Sequence, residues 1–245
     1  MTAQLFLAYV GVIAALSIGI AWRYLPGRAA TAITIGLPLW LGYVATLSWF
    51  EVLKTVPGRP PGILLVFAPI ILFIALVVIR SRWGRIAALA IPIALLHGLQ
   101  VFRIGIELFL HRFWEMGLAP RMLTYEGANV DILVALSAPF VAFIATRGSV
   151  GLRVALAWNV VGLLALANVI VRSVLTAPGP LNILASDVPN LFVSTFPYSL
   201  LPGFFPPLAI TLHILSIKAI RVRLRDGHTQ QDQRADRSLH ARHRS

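Results

Sequence analysis

The stretch HGLQVFRIGIELFLH, residues 97–111, places ionisable and amide side chains inside an otherwise apolar segment. At 100° per residue, five of these side chains fall within about one third of a helix circumference. They are His97, Gln100, Arg103, Glu107 and His111. A polar stripe of this kind normally faces neighbouring helices or water, and not the acyl chains of a bilayer. The stripe therefore predicts a polar site on the bundle side of a membrane helix.

The spacing within the stripe indicates charge pairing or acid–base chemistry. Arg103 and Glu107 lie four residues apart, so the sequence predicts an ion pair between them just below the outer membrane surface. The alternative is that Arg103 extends to the interface while Glu107 sits in water. His97 lies about 16 Å deep when counted from Ile86, the start of the apolar run. At that depth, a neutral imidazole hydrogen-bonded to a neighbouring helix is a common structural use.

Histidine and carboxylate side chains also bind metals and haem. Glu107 and His111 share a helix face and could bind Zn²⁺ together with other carboxylates, but the chain has no H-E-x-x-H motif. A bis-histidine haem needs two imidazoles at matching depth, and His213 lies only about 8 Å from the inner end of its run, against about 16 Å for His97. Cys is absent. We therefore predict no metal and no cofactor.

Two long segments between apolar runs, residues 112–131 and 172–199, carry further polar side chains. Both segments are too apolar and aromatic for plain solvated linkers, and we expect them at the outer membrane surface. That position would bring their polar residues to the mouth of the bundle. The further candidate ligand-binding residues in or beside these segments are Glu126, Asn129, Asp131, Asn168, Arg172, Asp187 and Asn190.

The composition sets the class of protein that holds these residues. Hydrophobic residues make up 58% of the chain and charged residues 12%, whereas soluble domains carry about 25% charged residues. We predict an all-α, polytopic transmembrane helical bundle of about seven spans, or six if the fifth apolar run only dips into the membrane. We expect the first run to be a retained helix, because no basic residue precedes it as in a signal peptide. The apolar runs are residues 5–22, 31–52, 63–79, 86–110, 132–145, 154–171 and 200–217.

The distribution of Lys and Arg predicts the orientation. With the N-terminus outside and the C-terminus inside, fifteen of the 21 Lys and Arg residues flank the inner side and five flank the outer side. This asymmetry is typical of an N-out/C-in protein with an odd number of spans. The six acidic residues before the tail all fall at or near the outer face. That placement indicates either ordinary loop solvation or a polar site that opens outward.

The chain divides into a membrane domain, residues 1–222, and a basic tail, residues 223–245. The tail lacks aromatic residues, so we expect it to be disordered in the cytoplasm. Its charge suits a lipid bilayer with an anionic inner leaflet. The net charge of +12 does not indicate nucleic acid, because the basic residues lie between apolar runs and in the tail.

Three stretches carry a resemblance to a protein family: FRIGIELFLH, TYEGANVDILVAL and DVPNLFVSTFPYSLLPGFFPPLAITLHIL. They resemble segments of an uncharacterised family of small multi-pass bacterial inner-membrane proteins with no assigned activity. The resemblance covers roughly residues 97–215. It implies a multi-pass protein of the bacterial inner (plasma) membrane, and it implies no substrate or catalytic residue.

Three functions of different class are consistent with the sequence. In the first, a polar cavity open to the outer face binds or transports a small polar or lipid-derived molecule. In the second, the outer carboxylates and His111 act as a membrane-embedded enzyme, with or without a metal, on a lipid-linked substrate. The third is a non-catalytic subunit of a membrane complex. We favour the first, because no complete catalytic set can be assembled from the sequence.

Overall fold

The computed structural model of the protein describes residues 2–56 and 60–242, with side chains given as far as Asp226. All regular structure in these residues is helical. The α-helices are α1 (Thr2–Tyr24), α2 (Gly27–Trp49), α3 (Leu64–Phe73), α4 (Arg82–Ala90), α5 (Ile93–Gly98), α6 (Arg103–Glu115), α7 (Asp131–Ile144), α8 (Gly148–Thr176) and α9 (Leu200–Arg242). A π-helical turn, Ile74–Arg80, extends α3, and a 3₁₀ turn, Leu99–Phe102, joins α5 to α6. The all-α membrane class predicted from the composition is confirmed.

Five stretches in the described part of the chain are long and apolar enough to cross a membrane. They are α1, α2, the continuous helical stretch Ile93–Glu115, α8 and the Leu200–Asp226 part of α9. A sixth is formed if α3, its π-helical extension and α4 count as one bent span. Helix α7 has 14 residues, or about 21 Å, which is short of a hydrocarbon core of about 30 Å. The count of seven spans and the N-out/C-in orientation stay predictions.

The fourth apolar run does not form the single helix predicted from Ile86. The chain bends by 69° between the π-helical turn and α4, and the Ser81 hydroxyl accepts hydrogen bonds from the first amides of α4. Helix α4 then ends at Ala90, and Ile91 after it is extended with ψ of 128°. The reason is Pro92, which lacks an amide hydrogen and disfavours helical geometry in the residue before it. The membrane helix that carries the polar stripe begins at Ile93.

Helix α9 lies at the centre of the bundle and packs against α8, α5, α4 and α2. Near one end, Phe6 of α1 packs edge-on against Phe109, Phe113, Tyr198 and Phe205, with ring centroids 5.2–6.4 Å apart. This end also carries the two long loops, between α6 and α7 and between α8 and α9, and we refer to it as the loop end.

The two long loops are bound to one another. The Leu118 carbonyl accepts hydrogen bonds from the amides of Leu191 at 2.8 Å and Phe192 at 3.1 Å. The Asp187 carboxylate accepts hydrogen bonds from the Arg121 amide at 3.1 Å and from the Trp114 indole at 2.9 Å. The loops therefore form one layer over the loop end of the bundle. The predicted disordered tail lies mostly among residues whose side chains are outside the described part, so its disorder stays a prediction.

Candidate functional site

The centre of the site is an ion pair between Arg103, the first residue of α6, and Asp131, the first residue of α7. The exposed fraction is 2% for Arg103 and 5% for Asp131. Arg103 Nε donates to Asp131 Oδ2 at 2.9 Å, and Arg103 Nη2 contacts Asp131 Oδ1. This is the paired geometry in which the planar guanidinium fork matches a carboxylate. The predicted Arg103–Glu107 pair is wrong, because Asp131 presents both carboxylate oxygens to the fork from a neighbouring helix.

Glu107 instead lies against the amide of Asn129. Asn129 Nδ2 is 2.8 and 2.7 Å from the two Glu107 oxygens, and 2.9 Å from the Leu123 carbonyl oxygen. Asn129 Oδ1 accepts a hydrogen bond from the Asp131 amide at 2.9 Å, which forms a turn immediately before α7. Asn129 thus joins Glu107, only 1% exposed, to the helix end that supplies the ion pair.

On the other side of Arg103, two histidines are linked through Asn159 of α8. Arg103 Nη1 lies 3.1 Å from His213 Nε2. Because a guanidinium can only donate, His213 Nε2 accepts and His213 Nδ1 donates to Asn159 Oδ1 at 2.9 Å. The Asn159 amide nitrogen lies 2.9 Å from His97 Nε2, and His97 Nδ1 donates to the Ile93 carbonyl at 2.7 Å. This pattern makes both imidazoles neutral, with the hydrogen on Nδ1.

Two further residues shape this histidine pair. Ser216 Oγ lies 3.0 Å from His97 Nε2 and 3.1 Å from Asn159 Nδ2. Gly162, one turn after Trp158 on α8, leaves the space that the His213 imidazole occupies, since a methyl group there would overlap the ring. The Trp158 ring packs against both histidines, with centroids 5.5 Å from His97 and 5.3 Å from His213.

We call this set of side chains the polar cluster. Its members are His97, Arg103, Glu107, Asn129, Asp131, Asn159, His213 and Ser216, and all of them are buried. Gln100 lies beside it and donates through Nε2 to the Ala209 carbonyl at 3.2 Å, while its Oε1 is buried without a partner. The cluster therefore joins α5, α6, α7, α8 and α9.

Sequence reasoning missed Asn159, His213 and Ser216 as members of the site. Each is a polar residue inside an apolar run, and this feature could have indicated that it belongs to the site. His213 was considered only as a haem ligand and was placed at a different depth from His97. The start of the helix at Ile93 brings the two histidines to one level, where the Asn159 side chain fills the gap between them.

The remaining candidates lie outside the cluster. His111 stacks on Tyr125 with centroids 5.0 Å apart, and one of its ring nitrogens is 3.8 Å from Glu126 Oε1. Glu126 and Asp187 are exposed at the loop end. His111 and Glu107 therefore contact different partners, which weakens the metal-assisted alternative. No group of three His, Asp or Glu side chains in the described residues is placed to hold a metal ion.

Three candidates on or against α8 attach the long loops. Asn168 donates to the Ala128 carbonyl at 2.9 Å, and Arg172 Nε donates to Asn168 Oδ1 at 2.8 Å. Asn190 Nδ2 donates to Ser173, at 2.8 Å from its carbonyl and 2.9 Å from its hydroxyl. These contacts hold the loop layer in place, and they give the three side chains a structural role.

A cavity lies between the polar cluster and the loop layer. Arg103, Glu107 and Asp131 form its polar part, while Leu123 and Phe192 of the long loops line it as well. It leaves about 50 Å³ for the centres of water-sized molecules, which is room for a few waters or one small head group. The other lining residues are apolar except Ser173.

Residues 60–221 match a family described as a domain of unknown function, DUF8737. The chain belongs to this family. The matched range contains the whole polar cluster and begins after α2. No curated protein and no solved structure matches the chain. Membership confirms the predicted resemblance to an uncharacterised family, while the bacterial origin stays a prediction.

Proposed function

We propose that the protein binds, and carries into or across the bilayer, a small polar or lipid-derived molecule at the cavity beside Arg103, Glu107 and Asp131. The observation that carries this proposal is a mostly apolar cavity lined by three almost completely buried ionisable side chains. The ionisable side chains suit a polar head, and the apolar lining suits the part of a hydrocarbon body next to that head. Sites of this form are typical of small-molecule binding.

A purely structural role does not explain why these ionisable side chains are buried. Replacing a buried ion pair by well-packed apolar residues is often neutral or stabilising. Ionisable residues within membrane helices are rare, and they usually mark pathways or binding sites. The polar cluster also joins the stretch Ile93–Glu115 to three further helices, which is more than one ion pair needs. These facts support a cluster that serves a ligand as well as the fold.

We further propose that the protein lies in a bacterial inner membrane with the loop end facing outward. The excess of Lys and Arg in the segments at the opposite end supports this orientation. Under this proposal the ligand enters from the outer leaflet, past the loop layer. The basic tail then contacts the anionic inner leaflet.

Ligand binding can be tested by filling the cavity. Val169 lines the cavity from α8, so Val169→Phe should occupy the space that the ligand needs. Leu164→Phe is the matched control, because Leu164 lies on the same helix and is 66% exposed on the bundle surface. Purified wild-type protein is screened by thermal shift with phospholipids, lysophospholipids, fatty acids and alkylamines, and its co-purified lipids are identified by mass spectrometry.

A ligand at about 100 times its Kd raises the free energy of unfolding by about 2.7 kcal/mol. We expect wild type and Leu164→Phe to show this stabilisation, and Val169→Phe to lose it. Equal responses of the two variants to every compound, with the same co-purified lipids, would contradict binding at this cavity.

A further inference from the structure

The buried charges in the cavity wall do not balance. Arg103 carries one positive charge, while Asp131 and Glu107 each carry one negative charge when ionised. Arg103 contacts Asp131 through Nε and Nη2, and it contacts His213 through Nη1. Within the described residues, no Lys, Arg or His nitrogen lies within 4.0 Å of a Glu107 oxygen. Glu107 is therefore the carboxyl group without a cationic partner.

The hydrogen bonds to Glu107 do not compensate for the missing cation. Asn129 Nδ2 has two hydrogens and three acceptors, namely the two Glu107 oxygens and the Leu123 carbonyl. One hydrogen satisfies Leu123, so a single N–H is shared by the whole carboxylate. An ionised carboxylate in an apolar surrounding is costly unless it is neutralised. Either a proton or a cation must therefore accompany Glu107.

Several elements line the cavity together with Glu107. Helix α6 contributes Arg103, and α7 contributes Asp131. Helix α8 presents apolar side chains and the Ser173 hydroxyl to the cavity, and α9 presents apolar side chains only. The nearest titratable group of α9, His213, contacts Arg103 and not Glu107. The part of the chain that the structure describes thus brings no second cation to this carboxyl group.

Aromatic rings give the cavity a second feature that points to a cation. Four phenylalanines line it: Phe67, Phe102, Phe192 and Phe205. The faces of aromatic rings attract ammonium groups, and the attraction increases when the cation is desolvated. A buried carboxyl group together with several phenylalanines is suited to an ammonium head with an apolar body.

We propose that the ligand of this cavity is a lipophilic amine whose ammonium group takes the place of the proton on Glu107. In the empty site the Glu107 carboxyl group holds the proton. When the alkylammonium ion enters, Glu107 releases that proton to water, and the resulting carboxylate pairs with the ammonium. Each bound cation releases about one proton, so the site exchanges a cation for a proton. The inference rests on the proposed binding at this cavity and adds the charge of the ligand.

The test uses four probes that share a six-carbon chain and differ in the head group: hexylammonium, hexyltrimethylammonium, hexanol and hexanoate. Their binding to full-length protein in lipid nanodiscs is measured by isothermal titration calorimetry in two buffers of different ionisation enthalpy, which gives the number of protons released. Methylammonium serves as an amine without an apolar body. The variants are Glu107→Gln, which keeps the shape without the charge, and Glu115→Gln, an exposed acid on the same helix.

We expect both hexyl cations to bind and to release about one proton each. Glu107→Gln should bind them about 100-fold more weakly and release no proton, while Glu115→Gln should match wild type. Methylammonium should bind more weakly than hexylammonium. Equal affinity for methylammonium would overturn the lipophilic part of the assignment.

Other outcomes separate this inference from the proposed function. If hexanol or hexanoate binds wild type as tightly as the cations, and Val169→Phe abolishes that binding, the cavity is a binding site but the ammonium assignment is wrong. If cations bind without proton release, the exchange at Glu107 is wrong. If no probe distinguishes Val169→Phe from Leu164→Phe, both the site and its assigned ligand are refuted.

Discussion

The three ionisable side chains of the cavity wall predict an unequal response of stability to substitution. Consider Arg103→Gln, Asp131→Asn and Glu107→Gln, each of which replaces an ionisable group by an amide. The two acid substitutions keep the shape of the side chain, whereas Arg103→Gln shortens it. Removing Arg103 leaves two acidic groups and no cation in the cavity wall. Removing Asp131 leaves Arg103 beside Glu107, which lines the same cavity and is able to ionise as its counter-charge. Removing Glu107 leaves the Arg103–Asp131 pair intact.

The expected loss in the free energy of unfolding for each variant follows from these contacts. Arg103→Gln breaks two contacts to Asp131 and one to His213, and loss of one partner of a buried pair costs about 3–5 kcal/mol. Asp131→Asn loses charge-assisted hydrogen bonds but keeps a compensating carboxyl group, so we expect about 1–3 kcal/mol. Glu107→Gln keeps an oxygen that can accept from Asn129, so its effect should stay within about 1 kcal/mol.

The free energy of unfolding can be measured in mixed micelles of dodecyl maltoside and SDS, with each variant compared with wild type at pH 7. Arg112→Gln is the matched control on α6, because Arg112 pairs with Glu115 at 2.7 Å but is exposed. Arg112→Gln should lower the free energy of unfolding by less than about 1 kcal/mol. A cost for Glu107→Gln equal to that of Arg103→Gln would refute the charge count. A larger loss of stability for Asp131→Asn than for Arg103→Gln would also refute the charge count.

Three further predictions concern packing, the histidine pair and topology. Gly162→Ala should lower stability by about 1–3 kcal/mol in the same micelle assay, because the methyl group overlaps His213; Gly11→Ala, with open space around it, should not. Asn159→Ala should cost about 2 kcal/mol, because it leaves His213 Nδ1 and His97 Nε2 with fewer partners; an unchanged unfolding curve would contradict that role. The chain has no Cys, so single-cysteine variants report topology directly. A membrane-impermeant maleimide added outside spheroplasts should label Ala185→Cys and not Thr146→Cys, and the reverse would invert the orientation.

The class of fold and one face of the site were predictable from the sequence. Few charged residues and long apolar runs are enough to indicate membrane helices. Helical periodicity then identified the face that packs inward, and His97, Gln100, Arg103 and Glu107 are all buried on it. His111 is only half-buried, because it lies near the end of α6 where the bundle gives way to the loop layer.

The residues that contact this helix face were not predictable from the spacing of residues along the sequence. Asp131 and Asn129 reach Arg103 and Glu107 only because residues 116–130 fold back over the loop end. Local spacing instead favoured the pair within one helix. Asn159 and His213 come together because Gly162 leaves room for an imidazole between two helices. Such contacts depend on how helices pack, and a single sequence does not contain that information in its periodicity.

The start of the polar helix was predictable, because Pro92 lies inside the fourth apolar run. The position of this start determines how deep Arg103 lies in the membrane. Counted from Ile93, Arg103 lies about 15 Å along a helix that crosses a hydrocarbon core of about 30 Å. It is therefore near the middle of the core, where a guanidinium cannot reach either interface through its own length. Its nitrogens contact Asp131 and His213, so the interpretation in which Arg103 extends to the surface is wrong. A cation held this deep requires a carboxylate beside it, and Asp131 supplies that carboxylate, which leaves Glu107 as the second carboxyl group at the same cavity.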